Sequence, residues 1–317
     1  MRLLQVCNVG RIVGGTAACA WSIVRAFPDV EHHIAFGSSI TDETRETFAG
    51  TQLHLCPEVT NGLVRDLRCD SVILHNISAS RAERITAAWT LQYVHSRGTR
   101  APADCVRYCS RWLARQCLGE RAIDEDVLYQ AVPRPIGGQR SADASRDLVV
   151  GRICTPTAAK WPSALIDFYA QLAPRHARVH WEFVGCPAEL QQPLRLACGQ
   201  KAVFHPAGWL ARTLLTRWDA LLYHHPTLTE SFGRTVAEAM RAGCIPIVDA
   251  RGGFQEQITS ETGWLCRTSD DFSDAIERLQ DVSAREHIAA SARDRADQIF
   301  SMSAIRQRLL RLCRHAA

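Results

Sequence analysis

Apolar residues along this chain come in short unbroken runs rather than in strict alternation. Residues 3–8 begin with such a run, 9–15 form a glycine-bearing loop, and 16–27 carry the wider apolar spacing of a helix with Thr16 as its N-cap. The same rhythm returns further on, where 33–36, 71–75 and 91–94 read as strands and 104–117 as a helix. Continuous apolar strands separated by helices imply a parallel sheet covered on both faces. The rhythm breaks over 132–147, where two prolines, paired glycines and several Ser and Asp residues stand together. A second series follows, with strands expected at 148–153, 179–185, 202–205, 220–223 and 245–249.

The pattern therefore predicts an α/β protein of two Rossmann-like, doubly wound parallel-sheet domains. The first is expected over 1–136, a linker over 137–147, the second domain over 148–300, and a C-terminal helix over 301–317 that packs back on the first domain. Length agrees, because 317 residues exceed what one hydrophobic core usually organises. With 46% apolar and 22% charged residues, the composition is that of an ordinary globular protein. The apolar start of the chain is broken by Asn8 and Gly10, too early for a leader or a membrane span, so a cytoplasmic location is expected. The 13 cysteines are scattered, odd in number and without a Cys-x-x-Cys pair, which suggests neither a disulfide framework nor a zinc site. Lys160 and Lys201 are the only lysines in a chain that otherwise writes its cations as Arg. A compact ammonium at either place is worth attention.

In doubly wound sheets, ligands bind at the carboxyl ends of the strands, where loops enter helix N-termini. The segment His224-His-Pro-Thr-Leu-Thr-Glu230-Ser-Phe-Gly233 stands at such a place, before an expected helix over 234–242. Gly233 permits close backbone approach to a ligand, and the first helical turn suits a phosphate. Glu230 precedes that turn, while Glu238 lies four residues after Arg234 and shares its helical face.

The stretch Glu230-Ser-Phe-Gly-Arg-Thr-Val-Ala-Glu238-Ala-Met-Arg-Ala-Gly-Cys-Ile-Pro-Ile-Val closely resembles the E-x7-E segment of family-four retaining glycosyltransferases. Gly151-Arg152 followed by Lys160-Trp161-Pro162 resembles the phosphate clamp of the same family, and the likeness extends over about 148–279. In the first domain it rests on Gly14-Gly15, His75 and Tyr93-Val94-His95.

The resemblance implies the GT-B fold, two such domains facing a cleft, and a nucleotide-diphosphate sugar, UDP- or GDP-linked, as donor. It assigns Arg152, Lys160, Glu230 and His95 to catalysis. The donor would be bound by Gly14, Gly15, Arg152, Lys160, Glu230, Ser231, Phe232, Gly233, Arg234, Thr235 and Glu238. Within that set the two cations grip the diphosphate, Glu230 meets the sugar, Phe232 and Gly233 lend backbone donors, and Glu238 holds the ribose. Attack on the face of the leaving group then needs no protein nucleophile. No cofactor and no metal ion are implied, since Asp124-Glu125-Asp126 does not follow a strand as a metal-binding DxD would. Arg234-Thr235 departs from the family's aliphatic pair, and reads either as a further phosphate contact or as a surface charge.

The acceptor is expected on the first domain, near 9–15, 75–78 and 95–100. A glycan, a lipid-linked molecule or a small molecule fits best, with hydroxylated bases of DNA as the alternative. The net charge of +4 permits a polyanion without requiring one. Arg306, Arg308, Arg311 and Arg314 lie among leucines, an amphipathic pattern compatible with peripheral contact to anionic membrane as well as with packing on the fold. A nucleotide-sugar epimerase or hydrolase, and a silent nucleotide-sugar-binding subunit, are the readings of another class.

Overall fold

The structure, a computed structural model, describes residues 1–137 and 146–314. The chain divides into two compact units, one made of Met1–Val132 with Ile299–Ala317 and the other of Pro133–Gln298. Most of the stretch expected as linker, 138–145, lies outside the described residues.

Unit 1 is a six-stranded parallel sheet of β1 (Arg2–Cys7), β2 (Glu31–Phe36), β3 (Gln52–Leu55), β4 (Ser71–His75), β5 (Trp89–Val94) and β6 (Cys105–Tyr108), in the order β3-β2-β1-β4-β5-β6. That is the strand order of the Rossmann fold. Its helices are α1 (Gly15–Ala26), α2 (Asp42–Thr47), α3 (Asn61–Asp66) and α4 (Arg111–Leu118). The helix expected over 104–117 is in fact a strand followed by a shorter helix. Ser110 is the break, because its backbone is extended and its hydroxyl accepts from Leu113 N at 3.0 Å, which caps α4. Helix α1 likewise starts earlier than expected, with Gly14 as N-cap, while the Thr16 hydroxyl donates to the Asn8 side chain at 3.1 Å.

Unit 2 repeats the plan with β7 (Leu148–Ile153), β8 (Val179–Val184), β9 (Ala202–His205), β10 (Ala220–Tyr223), β11 (Ile245–Asp249) and β12 (Trp264–Cys266), all parallel, in the order β12-β11-β10-β7-β8-β9. Counted from its own first strand, this is the same winding. Its helices are α5 (Ala164–Leu172), α6 (Ala188–Ala197), α7 (Arg234–Ala242), α8 (Phe254–Gln257), α9 (Ser269–Arg278) and α10 (Val282–Phe300), the last running into the boundary between the units. Thr268 and Asp271 close a reciprocal capping box on α9. The edge strands β3 and β12, of four and three residues, carry too little apolar pattern to be read from sequence.

The two cores differ in substance. Unit 2 is packed with rings, Trp161, Tyr169, Trp181 and Phe183 meeting edge to face at 5.0–6.2 Å. Around β1 and β4 of unit 1 the core is mainly aliphatic, built on Leu4, Val6, Val72 and Leu74. The last helix, α11 (Met302–Arg314), packs on α1 within unit 1. Arg306 of that helix grips Asp29 at 2.5 and 2.9 Å, and Arg308 lies over Tyr129 and donates to Ile299 O at 2.9 Å. Among the described residues, no helix is long and apolar enough to cross a membrane.

Candidate functional site

Strands β7 and β10 are neighbours whose connections leave toward opposite sides of the sheet, which opens a crevice at their carboxyl ends. Arg152 ends β7 there. The resemblance makes Arg152 one of two cations that grip a diphosphate, and in this structure its side chain is fully buried. Its Nη1 donates to His224 O at 2.7 Å and its Nη2 to Lys160 O at 2.9 Å. The guanidinium also faces the rings of Trp161 at 5.0 Å and Tyr223 at 4.8 Å. Burial works against its charge, and the surroundings, Cys154, Tyr169, Tyr223 and Asp249, more than offset that, so its pKa stands above the ordinary value. Arg152 thus ties the loop after β7 to the loop after β10.

Lys160, on the first of these loops, is part-exposed and forms an ion pair with Glu230. The Tyr223 hydroxyl donates to the same Glu230 Oε1 at 2.6 Å. Burial, and then the Glu230 charge, push the Tyr223 phenol well up, which keeps it a proton donor. The position of Glu230 is fixed from behind. Gly253 N donates to Glu230 O at 2.9 Å, and a Cβ on Gly253 would strike the backbone of Ser231 and Phe232. Gly233 sits at φ +83° immediately before α7, where a Cβ would enter the Phe254 ring. No side chain caps α7, so its N-terminal partial charge is directed into the crevice.

Glu238, four residues into α7, is nearly buried between Arg212 Nη1 and Arg234 Nε, each at 3.3 Å. Arg234 is therefore not a surface charge: its side chain turns back along the helix to Glu238 and is 11% exposed. Thr235 is half-buried beside it, as is Ser231 in the loop. Behind the crevice Asp249 accepts from His224 Nδ1 at 2.7 Å, from His225 N at 2.8 Å and from Arg251 at 3.0 Å. Burial would raise the Asp249 carboxyl, but these bonds, that from His224 first, hold it below the usual range.

Sequence reasoning missed Tyr223 and Arg212 as partners of the two glutamates, and Asp249 as the acceptor that holds His224, His225 and Arg251. Tyr223 had a weak signal, as the last residue of a strand that leads to the motif. Arg212 had none, because 26 positions separate it from Glu238.

The first-domain candidates gather around the equivalent crevice of unit 1, between β1 and β4. Gly14 N-caps α1 and Gly15 begins it, again with no side-chain cap. His75 ends β4 and is fully buried, and His95 follows β5 half-buried. Their rings stack at 5.3 Å, with His75 Nδ1 and His95 Nε2 3.1 Å apart. The far nitrogens meet amides, His75 Nε2 with Gln5 Oε1 at 3.0 Å and His95 Nδ1 with the Gln130 amide at 2.9 Å. Burial holds the His75 imidazole down at about 3. Asp124 and Asp126 are spent locally, the first on Arg111 at 2.9 Å and the second on Ile123 N at 3.0 Å.

Comparison with known proteins agrees with this fold. No curated protein matches the sequence. Solved structures match along its whole length, at low identity. HepE of Anabaena in complex with UDP-glucose shares 18% identity with a TM-score of 0.76, covering 99% of this chain and 100% of that one. A glycosyltransferase from Rickettsia africae shares 14% with a TM-score of 0.76, covering 99% and 98%. Sucrose-phosphate synthase from Thermosynechococcus elongatus shares 15% with a TM-score of 0.73, covering 100% and 99%. Residues 148–295 match the profile of the family described as Glycosyl transferases group 1. The fold is that of GT-B glycosyltransferases from end to end, and the stretch that matches Glycosyl transferases group 1, residues 148–295, contains Arg152, Lys160, Glu230 and Glu238.

Proposed function

We propose that this protein transfers a sugar from a nucleotide-diphosphate sugar to an acceptor hydroxyl with retention of anomeric configuration. The observation that carries the reading is the group formed by Lys160, Glu230 and Tyr223 beside the uncapped start of α7, with Glu238 on the same helix. A cation and a helix N-terminus together suit a diphosphate, and a carboxylate held by two donors suits sugar hydroxyls. The family profile and the nucleotide-sugar complex of HepE support the donor class.

In the proposed step the acceptor oxygen attacks the anomeric carbon on the face from which the diphosphate departs. The bond from that carbon to the phosphate oxygen breaks, and the acceptor proton passes to the departing phosphate. Lys160 and the α7 N-terminus stabilise the charge that develops there, the larger part of the catalysis. With these positive groups in place the step needs no divalent ion on the donor, so Mg²⁺ or Mn²⁺ added to chelator-treated protein should leave turnover unchanged. Arg152 acts by holding Lys160 and His224 in place rather than by touching phosphate. A glycan or lipid-linked hydroxyl is the proposed acceptor.

The test is to screen UDP- and GDP-sugars by thermal shift, then to follow the stabilising donor by NMR with a panel of glycan and lipid-linked acceptors and with hydroxymethylated DNA. An axial donor linkage kept in the product supports the reading. Inversion, epimerisation of the sugar, or release of sugar to water alone would reject it, and transfer to DNA alone would replace the proposed acceptor.

A further inference from the structure

The scattered cysteines and histidines give no metal pattern in sequence, but the fold of unit 1 brings three of them to one point. Cys19 Sγ on α1, His75 at the end of β4 and His95 after β5 place their ligand atoms within 4.8 Å of one another. We infer that these three residues form a binding site for a transition-metal ion of borderline softness, zinc foremost.

Three features carry this. The first is spacing. With 3.1 Å between the two nitrogens, and even the full 4.8 Å from each to the sulfur, the equidistant point lies about 2.5 Å from all three. Zinc bonds measure about 2.0–2.1 Å to nitrogen and 2.3 Å to sulfur, so shifts of a few tenths of an ångström close the site. The second is donor chemistry, since thiolate sulfur and imidazole nitrogen are both zinc ligands, and copper too is held by two imidazoles and one thiolate.

The third is the outer layer. The Gln5 amide nitrogen donates to Ala20 O at 3.2 Å, which turns its oxygen toward His75 Nε2, so that nitrogen carries the ring proton. His75 Nδ1 is then a bare lone pair directed at His95, with the Cys19 sulfur within 4.8 Å. His95 has the Gln130 amide at its outer nitrogen, 2.9 Å away, and a half-turn of that amide would let it accept from Nδ1–H while Nε2 faces the ion. Imidazole ligands whose other nitrogen is held by a hydrogen-bonding partner are the usual arrangement around bound metals. Such an ion would clamp α1 to the ends of β4 and β5, and it would be separate from the donor chemistry of unit 2. The inference does not depend on the sugar-transfer reading.

The competing arrangement is a plain hydrogen bond from His95 Nε2–H to His75 Nδ1, and experiment separates the two. The full chain, purified without metal-affinity resin and treated with a chelator, is titrated with ZnCl₂ under thermal denaturation and with CoCl₂ under absorption spectroscopy. The site predicts one zinc per chain, a raised Tm, and a thiolate-to-cobalt band. It also predicts zinc affinity at least 10²-fold weaker, with loss of the band, in Cys19→Ser. Should Cys19→Ser fail to fold, His95→Asn must weaken zinc binding at least tenfold. No zinc-dependent Tm shift in the wild type, a cobalt band that persists in Cys19→Ser, or unchanged zinc affinity in His95→Asn would each overturn the inference.

Discussion

The two units wind their sheets in the same order, yet the crevices at their switch points hold opposite chemistry. In unit 2, between β7 and β10, the groups are charged: Arg152, Lys160 and Glu230, with Glu238 set between Arg212 and Arg234. In unit 1, at the ends of β1, β4 and β5, they are imidazole and amide groups, Gln5, His75, His95 and Gln130, closed by a thiol. Topology supplies the place where strand ends and helix starts converge. The residues set there decide whether that place holds ion pairs or a polar network that joins three elements. The surroundings follow suit, since rings line the cation of unit 2, whereas aliphatic side chains make up much of the core around β1 and β4 of unit 1.

The largest expected effect breaks the charged crevice at its base. Arg152→Met leaves two loop carbonyls without their donor, at about 1–3 kcal/mol each when buried, and releases the loop that bears Lys160. Urea denaturation should show a loss of about 2–4 kcal/mol, and initial rates a fall of about 10²-fold or more. Wild-type stability in this variant would refute the tie between the loops.

Lys160→Ala separates function from folding. Its ion pair is part-exposed, so stability should change by less than about 1 kcal/mol. Turnover with saturating donor should still fall on the order of 10²-fold. Near-wild-type turnover would remove Lys160 from the phosphate role.

The imidazole crevice should answer in stability instead. His75→Leu takes the His75 partner from Gln5 Oε1 and from His95 Nε2 and should lower unfolding free energy by about 1–3 kcal/mol, read from urea titrations. A variant as stable as the wild type would mean that the network contributes nothing to folding.

The smallest effect is in acid. Asp249 has its carboxyl held below the ordinary value in the fold, so its contribution is present above the unfolded value, near pH 4, and is lost as pH falls through the folded one. Wild-type stability should decline below pH 4 with a slope of at most about 1.4 kcal/mol per pH unit from this group. Asp249→Asn should flatten that part of the profile, and an unchanged slope would assign the acid sensitivity to other carboxylates.

Much of the second unit was legible because its information is local. The run over 245–249 is a buried strand by composition, and α7 spans the expected 234–242 between Gly233 and Gly243, two glycines in left-handed backbone that mark its ends. The two glutamates, Lys160 and Gly233 could be named from spacing within one loop and one helix. Where a signal was short or ambiguous the reading failed, as at Ser110, whose capping hydroxyl divides a strand from a helix, and at the three-residue edge β12.

Sequence by itself determined the alternation of elements, the doubly wound class, and which segment carries the two-glutamate motif, since each depends on periods of a few residues. Only the tertiary structure decided that Arg152 is buried and joins two loops, that Arg212 reaches Glu238, and that Cys19, His75 and His95 meet. These contacts join residues 8 to 76 positions apart. No local pattern encodes them, because parallel strands bring their ends together only after whole crossover helices have packed.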